Sequence, residues 1–242
     1  QRVRLGGVRA SPNDLVRPGF IADLQNWDDG EVYEPNMLSR LRRDLSSTGA
    51  VSLASTRIQP PGPSGLSEVV LDVEPARRNA YELGVSYSTT AGAGVEAEGR
   101  RRNITRRADA LTIGATLAEM NQGLSAEWAR PHAPDLGQTL TLGAAAERET
   151  IDAYTRQGVA IYGSVDASPR LRVGVSYGLR LAADQYDETA GTVRDAIVLS
   201  AFGAVRHDTT ESRLDPRDGS IVELRLEPAV SSGDETLGFV RA

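Results

Sequence analysis

The sequence predicts a mainly β protein, with a small α+β domain at residues 1–78 followed by an antiparallel β meander at residues 79–242. Two observations support this division. Helical periodicity is confined to the first third of the chain, whereas from Ala80 onward apolar and polar residues alternate in segments of about ten residues bounded by turn residues. A hydrophobic content of 40% is sufficient for a packed core, so we expect an ordered protein.

The first domain is predicted to contain a strand, two helices and two further strands. An apolar run at residues 3–8 is followed by a helical stretch at residues 14–24. In the second helix, Pro35 suits the first helical position and Gly49 suits the residue after the end. The apolar residues of this helix recur at helical spacing: Met37, Leu38, Leu41 and Leu45. Because the domain has its own helix faces and strands, we expect residues 1–78 to fold alone.

Two alternating runs complete the first domain, at residues 51–58 and 67–73. The segment between them, QPPGPSG, is rich in proline and glycine and is predicted to be a loop. The meander that follows is predicted to contain about ten strands, each joined to the next as a hairpin. The absence of helical periodicity after residue 79 excludes crossover helices, and therefore a parallel sheet, from this part.

The faces of the meander are clearest near residue 175. One face carries apolar residues, namely Leu171, Val173, Val175, Tyr177, Leu179 and Leu181. The other face carries Arg and small residues, and we expect Arg170, Arg172 and Arg180 to face water. A soluble β-sandwich also repeats strands in this way, but runs of about ten to twelve residues are long for a sandwich and suit a tilted membrane-spanning strand. Aromatic residues are only 5% of the chain, which is few for the two aromatic girdles of such a barrel.

Composition excludes several function classes. The chain has no cysteine, and its two histidines, His132 and His207, are too far apart in sequence to form a local ligand pair, so no metal or other cofactor is expected. A net charge of −6 argues against nucleic-acid binding by the chain as a whole. The cluster of arginines at residues 100–107 could bind lipid phosphate, although a solvated turn is the simpler interpretation.

The segment HDTTESRLDPRDGS, residues 207–220, is the strongest candidate for a catalytic or metal site, because it holds a histidine beside several carboxylates. A catalytic His207–Asp208 dyad lacks a third partner, and the carboxylates do not follow the spacing of a calcium loop. A structural turn explains the segment better, since Asp can bond local backbone, Pro fixes φ and Gly permits a left-handed conformation. The residues assigned to this turn are Asp208, Leu214, Pro216 and Gly219. We therefore predict that the protein is not an enzyme.

Three segments resemble the outer-membrane-protein assembly factor superfamily: YELGVSYSTTAGAGVEAEGRRRNITRRADAL, QGLSAEWARPH and DTTESRLDPRDGS. The similarity is greatest to the TamA-like branch, from the translocation and assembly module, rather than to BamA or the two-partner-secretion transporters. Residues 19–77 resemble the last POTRA (polypeptide-transport-associated) domain of this superfamily. The resemblance implies a POTRA domain followed by about ten strands of a sixteen-stranded transmembrane barrel, with the remaining strands and upstream POTRA domains outside this sequence.

The resemblance also implies a function and a location. The POTRA domain would lie in the periplasm and the barrel in the bacterial outer membrane, where the protein would insert or secrete β-barrel and autotransporter-type clients by strand addition at a barrel seam. Its partners would be unfolded outer-membrane client proteins, a TamB-like protein and outer-membrane lipid. The strand that borders the seam would be the first of the barrel, with Tyr81, Leu83, Gly84, Val85 and Tyr87. The alternative is a passive channel whose arginines select anions; a membrane hydrolase has little support.

Overall fold

The computed structural model of the protein describes residues 2–11, 15–88, 92–167, 172–188, 191–210, 218–233 and 235–242. The chain divides into two compact units. Unit 1 comprises Gln1–Ala80 together with Arg100–Ala110, and unit 2 comprises Tyr81–Gly99 and Leu111–Ala242. In the part of the chain that is described, no helix has both the length and the apolar character needed to cross a bilayer.

Unit 1 has the predicted order of strand, helix, helix, strand, strand. The elements are β1 (Leu5–Ser11), α1 (Pro18–Asp23), α2 (Pro35–Ser47), β2 (Val51–Ile58) and β3 (Ser67–Pro75). The predicted second helix is confirmed, with proline in its first turn and its apolar positions Met37, Leu38, Leu41 and Leu45 all buried. The first helix is shorter than predicted: it begins at Pro18, because proline suits the first helical position, and it ends at Asp23.

The three strands of unit 1 form a sheet in the order β1-β3-β2. β1 runs parallel to β3, and β2 runs antiparallel to it. The helices bury Phe20, Ile21, Leu41 and Leu45 in one cluster with Leu71 of β3. On the sheet surface, Arg57 donates hydrogen bonds of 2.6 and 2.8 Å to Asp72. These bonds lower the pKa of Asp72 below its ordinary value.

The segment Arg100–Ala110 completes unit 1, although the sequence assigns it to the meander. Asn103 Nδ2 donates a 2.8 Å hydrogen bond to the backbone oxygen of Leu15, and the backbone N–H of Ala108 donates to Asn103 Oδ1 at 3.1 Å. The backbone N–H of Arg17 donates to the oxygen of Arg106 at 2.8 Å. Ala108 itself lies in the core cluster of unit 1. A fragment that ends at residue 78 therefore lacks part of the unit that it was expected to form.

We expect the substitution Asn103→Ala to destabilise unit 1 by about 2–4 kcal/mol, because it removes the side chain from two buried hydrogen bonds and leaves their partners unpaired. Asn103 also has a φ of 57°, which alanine adopts at a cost. Unfolding can be followed by the fluorescence of Trp27, which is buried in unit 1, after Trp128 is replaced by Phe. Ile104→Ala in the same turn is the control, since Ile104 is exposed; an equal loss of stability in both variants would contradict this role.

Unit 2 contains a ten-stranded antiparallel sheet in strict sequence order, from β4 at one edge to β13 at the other. This confirms the prediction of a mainly β chain with a meander of about ten strands. The strands are β4 (Asn79–Ser88), β5 (Gly92–Arg102), β6 (Ala110–Ala118), β7 (Asn121–Pro131), β8 (Gln138–Thr150), β9 (Tyr154–Ala167), β10 (Val173–Glu188), β11 (Val193–Asp208), β12 (Ile221–Ser232) and β13 (Thr236–Arg241).

Several strands are longer than their apolar runs. The segment DQYDETAGTVRD, residues 184–195, has polar residues on both faces, a pattern typical of a loop, but β10 continues to Glu188 and β11 begins at Val193. The extension is paired in register, with Gln185 opposite Asp195 and Asp187 opposite Val193. Backbone pairing therefore extends beyond the apolar pattern here, because polar side chains on the two strands form hydrogen bonds with one another.

Candidate functional site

The ten-stranded sheet has one face that is apolar across adjacent strands, and we call it the apolar face. On β10 this face carries Leu179, which is 61% exposed. Ala182 of the same strand lies on the opposite face and is only 1% exposed. Residues in register on the neighbouring strands share the face. Its exposed members include Leu124, Leu142, Val159, Ile161, Leu181, Ile197, Leu199, Val205, Leu224 and Val230. An apolar surface this continuous requires an apolar environment.

A row of polar residues limits the apolar face at one end, and we call it the polar row. Its members lie side by side on five consecutive strands: Gln122, Arg148, Gln157, Gln185 and Asp195. Gln157 Nε2 donates to Gln185 Oε1 at 2.7 Å, and Gln185 Nε2 donates to Asp195 Oδ1 at 3.0 Å. The side-chain amides of Gln157 and Gln185 therefore form hydrogen bonds within the polar row, and the row is the border of the apolar face.

The height of the apolar face fits a bilayer. On β8 the polar residues Gln138 and Arg148 enclose the apolar positions of this face, and they are about ten residues apart, or roughly 33 Å at ~3.3 Å per residue. Strands of membrane barrels tilt by about 40°, which reduces this length to a height of about 25 Å, the value expected for the apolar band of such a barrel.

The opposite face, which we call the polar face, carries charged and small residues. Arg180 lies on it, between Tyr162 and Ser200 in register. Arg172 is exposed immediately before β10, and Arg170 lies outside the described residues. Near β4 the polar face is acidic, since Glu82, Glu96, Glu98 and Glu147 line one shallow depression of about 370 Å³. The structure thus places one of the three predicted arginines on the polar face within the sheet, and it also shows acidic residues on this face that the sequence did not single out.

An ion cluster on the polar face escaped the sequence analysis. Arg156 lies 3.0 Å from Glu147, 3.7 Å from Glu149 and 3.2 Å from Asp184. The cluster joins β8, β9 and β10 across the sheet, so its members are brought together by register and not by sequence spacing. Such a network holds the three strands in one register.

A second cross-strand contact depends on a missing side chain. Tyr162 of β9 extends across Gly143 of β8, and its hydroxyl donates a 3.0 Å hydrogen bond to Glu127 of β7. A Cβ at Gly143 would overlap the Tyr162 ring. A side chain at position 143 would therefore displace the Tyr162 ring from this contact, which joins β7, β8 and β9.

β4 is the edge of the sheet and the strand that the sequence assigned to the seam. Its apolar side chains are all highly exposed, for example Tyr81 at 82% and Val85 at 86%. Leu83 and Tyr87 share this exposure, and Gly84 lies on the polar face within the acidic depression. Among the described residues β4 pairs only with β5, so β4 forms one edge of the described sheet, and the backbone edge of such a strand can accept a further strand.

In the described part of the turn after β11, His207 and Asp208 do not form a dyad. His207 and Asp208 are consecutive residues of β11, so their side chains point to opposite faces of the sheet. Asp208 Oδ1 accepts hydrogen bonds from the backbone N–H and the hydroxyl of Thr210 at 3.0 and 2.6 Å. Gly219 has a φ of 106°, which favours glycine. The other two residues assigned to this turn, Leu214 and Pro216, lie outside the described part of the chain.

Comparison with known proteins gives a fold and no sequence family: no family model matches the sequence. The crystal structure of BamA from Haemophilus ducreyi lacking POTRA domains 1-3 matches 97% of this chain with a TM-score of 0.81 and 12% identity. CdiB from Acinetobacter baumannii matches 98% with a TM-score of 0.60 and 13% identity, and CdiB from Escherichia coli matches 96% with a TM-score of 0.60 and 14% identity.

This chain covers 49% of the BamA chain and 46% and 45% of the two CdiB chains, so it spans about half the length of the structures that it matches. The structural similarity extends to both BamA and CdiB, so it does not distinguish the TamA-like branch that the sequence resembles. The ten-stranded sheet has the fold of part of the barrel shared by BamA and CdiB.

Proposed function

We propose that the protein is an outer-membrane protein assembly or translocation factor that acts by strand addition at the edge of β4. The observation that carries this proposal is that β4 is an edge strand of the described sheet and that its apolar side chains are exposed: an incoming client strand can bond its backbone and continue its apolar face into the bilayer. Support also comes from the fold, which is that of part of the BamA and CdiB barrels.

The location in the outer membrane is supported by the apolar face and by the polar row that limits it. Exposed residues such as Leu179 and Leu142 would contact lipid, and the polar face would line an aqueous lumen. In this arrangement β4 begins, β5 ends and β6 begins at the boundary with unit 1. Strand ends on that side would lie at the periplasmic surface, and the polar row would lie near the outer surface.

Unit 1 is proposed to be a periplasmic POTRA domain. The BamA structure is described as lacking POTRA domains 1-3, and its match extends over 97% of this chain, a span too long to be explained by the sheet of unit 2 alone. The three-stranded sheet with two helices on one cluster agrees with the sequence resemblance of residues 19–77.

The TamA-like branch, with unfolded autotransporter-type clients and a TamB-like partner, rests on the sequence resemblance. Within the proposal, it is distinguished from a BamA-like role by dependence on the TamB-like protein. No enzymatic activity and no cofactor are assigned. A passive anion channel is not favoured, because the polar face near β4 carries Glu82, Glu96 and Glu98, which would repel anions.

Disulfide trapping tests the proposed function. The chain has no cysteine, so a single Val85→Cys substitution on the edge strand is the only reactive site. We expect Val85→Cys to form a disulfide with a cysteine in the terminal strand of a client barrel during its assembly. Leu181→Cys is the matched control, because Leu181 is exposed on the same face of a strand that is paired on both sides. Equal trapping at the two positions, or none at Val85, would overturn strand addition at β4.

A further inference from the structure

The apolar face contains a groove directly below the polar row. Across five adjacent strands, large and small side chains alternate in register: Leu124, Ala146, Val159, Ala183 and Ile197. Because the alanines leave space between the larger side chains, the surface is recessed there, with a volume of about 830 Å³. This volume is within the range of ~300–1,000 Å³ that is typical of small-molecule sites.

On β8 the apolar face carries only small side chains at two consecutive positions beside this recess. Ala144 and Ala146 are consecutive positions of the apolar face on this strand, so they form a floor without branched side chains. The walls are Leu124 of β7 on one side and Val159 with Ile161 of β9 on the other. The two wall strands are about 9.6 Å apart, twice the spacing of neighbouring strands. The space between their side chains suits a single extended acyl chain.

A positively charged residue lies at one end of this floor. Arg148 follows Ala146 on the same face, at the end of the groove. Its side chain forms no hydrogen bond or ion pair with any residue that the structure describes. Gln122 and Gln157 flank it in the polar row. The carboxylate of Asp195 is three strands away, at about 14 Å, which exceeds the ~8–10 Å over which exposed charges interact at physiological salt.

We propose that this groove binds a phosphorylated lipid, with one acyl chain over Ala144 and Ala146 and a phosphate at Arg148. The guanidinium supplies charge-assisted hydrogen bonds to the phosphate, and the neighbouring amides can add further donors. The inference rests on the proposed membrane location, which puts Arg148 near the outer surface. We therefore commit to the phosphorylated glucosamine lipid of the outer leaflet, lipid A, as the occupant.

Lipid binding by the full-length protein in a nonionic detergent tests this proposal, with native mass spectrometry to count bound lipid A. We expect Arg148→Gln to weaken binding about fivefold, which corresponds to about 1 kcal/mol for one arginine at a lipid headgroup. Ala146→Leu is expected to reduce binding by a similar factor, because it fills the floor of the groove. Both side chains are exposed, so neither change creates a clash within the sheet.

Two control variants lie away from the groove. Ala201→Leu on β11 adds the same bulk to the apolar face opposite Leu179, and Arg172→Gln removes an exposed arginine at the other end of the sheet; both are expected to bind lipid A as the unchanged protein does. Equal binding of phosphatidylglycerol and lipid A would overturn the choice of occupant. Unchanged binding in both groove variants would overturn the site. Either result is independent of client trapping at Val85, so failure here is distinguishable from failure of the proposed function.

Discussion

Locking β4 to the strand that closes the barrel is expected to abolish client assembly while the protein itself remains folded. In the complete barrel, a disulfide between Val85→Cys and a cysteine on the strand that closes the barrel would prevent β4 from separating. If clients enter by pairing with β4, the edge must open, and an edge strand opens by fraying at much lower free energy than an interior strand. Assembly of a client barrel in cells, followed by its appearance in the membrane fraction, measures the effect.

The matched control for this experiment is a disulfide between two interior strands. Val159 of β9 and Ala183 of β10 are paired in register on the apolar face. Cysteines at these two positions join strands that need not separate, so assembly is expected to continue at its usual rate. Full client assembly with the β4 seam completely oxidised would exclude the seam as the entry point and favour a role for unit 1 alone.

A charge in the middle of the apolar face is expected to destabilise the sheet strongly, and the same charge at its border to have little effect. Leu179→Arg introduces a cation near mid-height, where arginine in a membrane barrel costs about 2–4 kcal/mol. Gln185→Arg on the same face of the same strand lies in the polar row, where the cost is about 0–1 kcal/mol. Guanidinium unfolding of the protein in lipid vesicles measures both free energies. Equal values would show that the apolar face does not contact lipid.

The pattern of residues was sufficient to predict the strands and their faces where one face is uniformly apolar. The alternation around Leu179 and Arg180 has a period of two, and only a strand puts such residues on opposite sides. The same reasoning failed at residues 184–188, because polar residues on both faces resemble a loop as much as a strand. The hydrogen bond between Gln185 and Asp195 favours a strand here, and it depends on the register of β10 and β11.

The contacts of the wall could not be predicted, because they join residues that are distant in sequence. Arg156 is 28 positions from Asp184, and Tyr162 is 35 positions from Glu127. Each contact requires the exact pairing of neighbouring strands, and a shift of one residue would send each side chain to the other face. The glycine at position 143 carried no distinguishing sequence pattern, although the Tyr162 ring lies across it.

The turn that completes unit 1 constrains the order in which the protein can fold. Asn103 bonds Leu15 across 88 residues, and the chain between them includes both β4 and β5. During synthesis from the amino terminus, the helices and the three-stranded sheet emerge first, but the Leu15 oxygen and the site of Ala108 stay without their partners until residue 108 has been made. A nascent chain halted before that point would expose an incomplete core to chaperones and proteases. Maturation of unit 1 is therefore timed by the synthesis of the turn between β5 and β6.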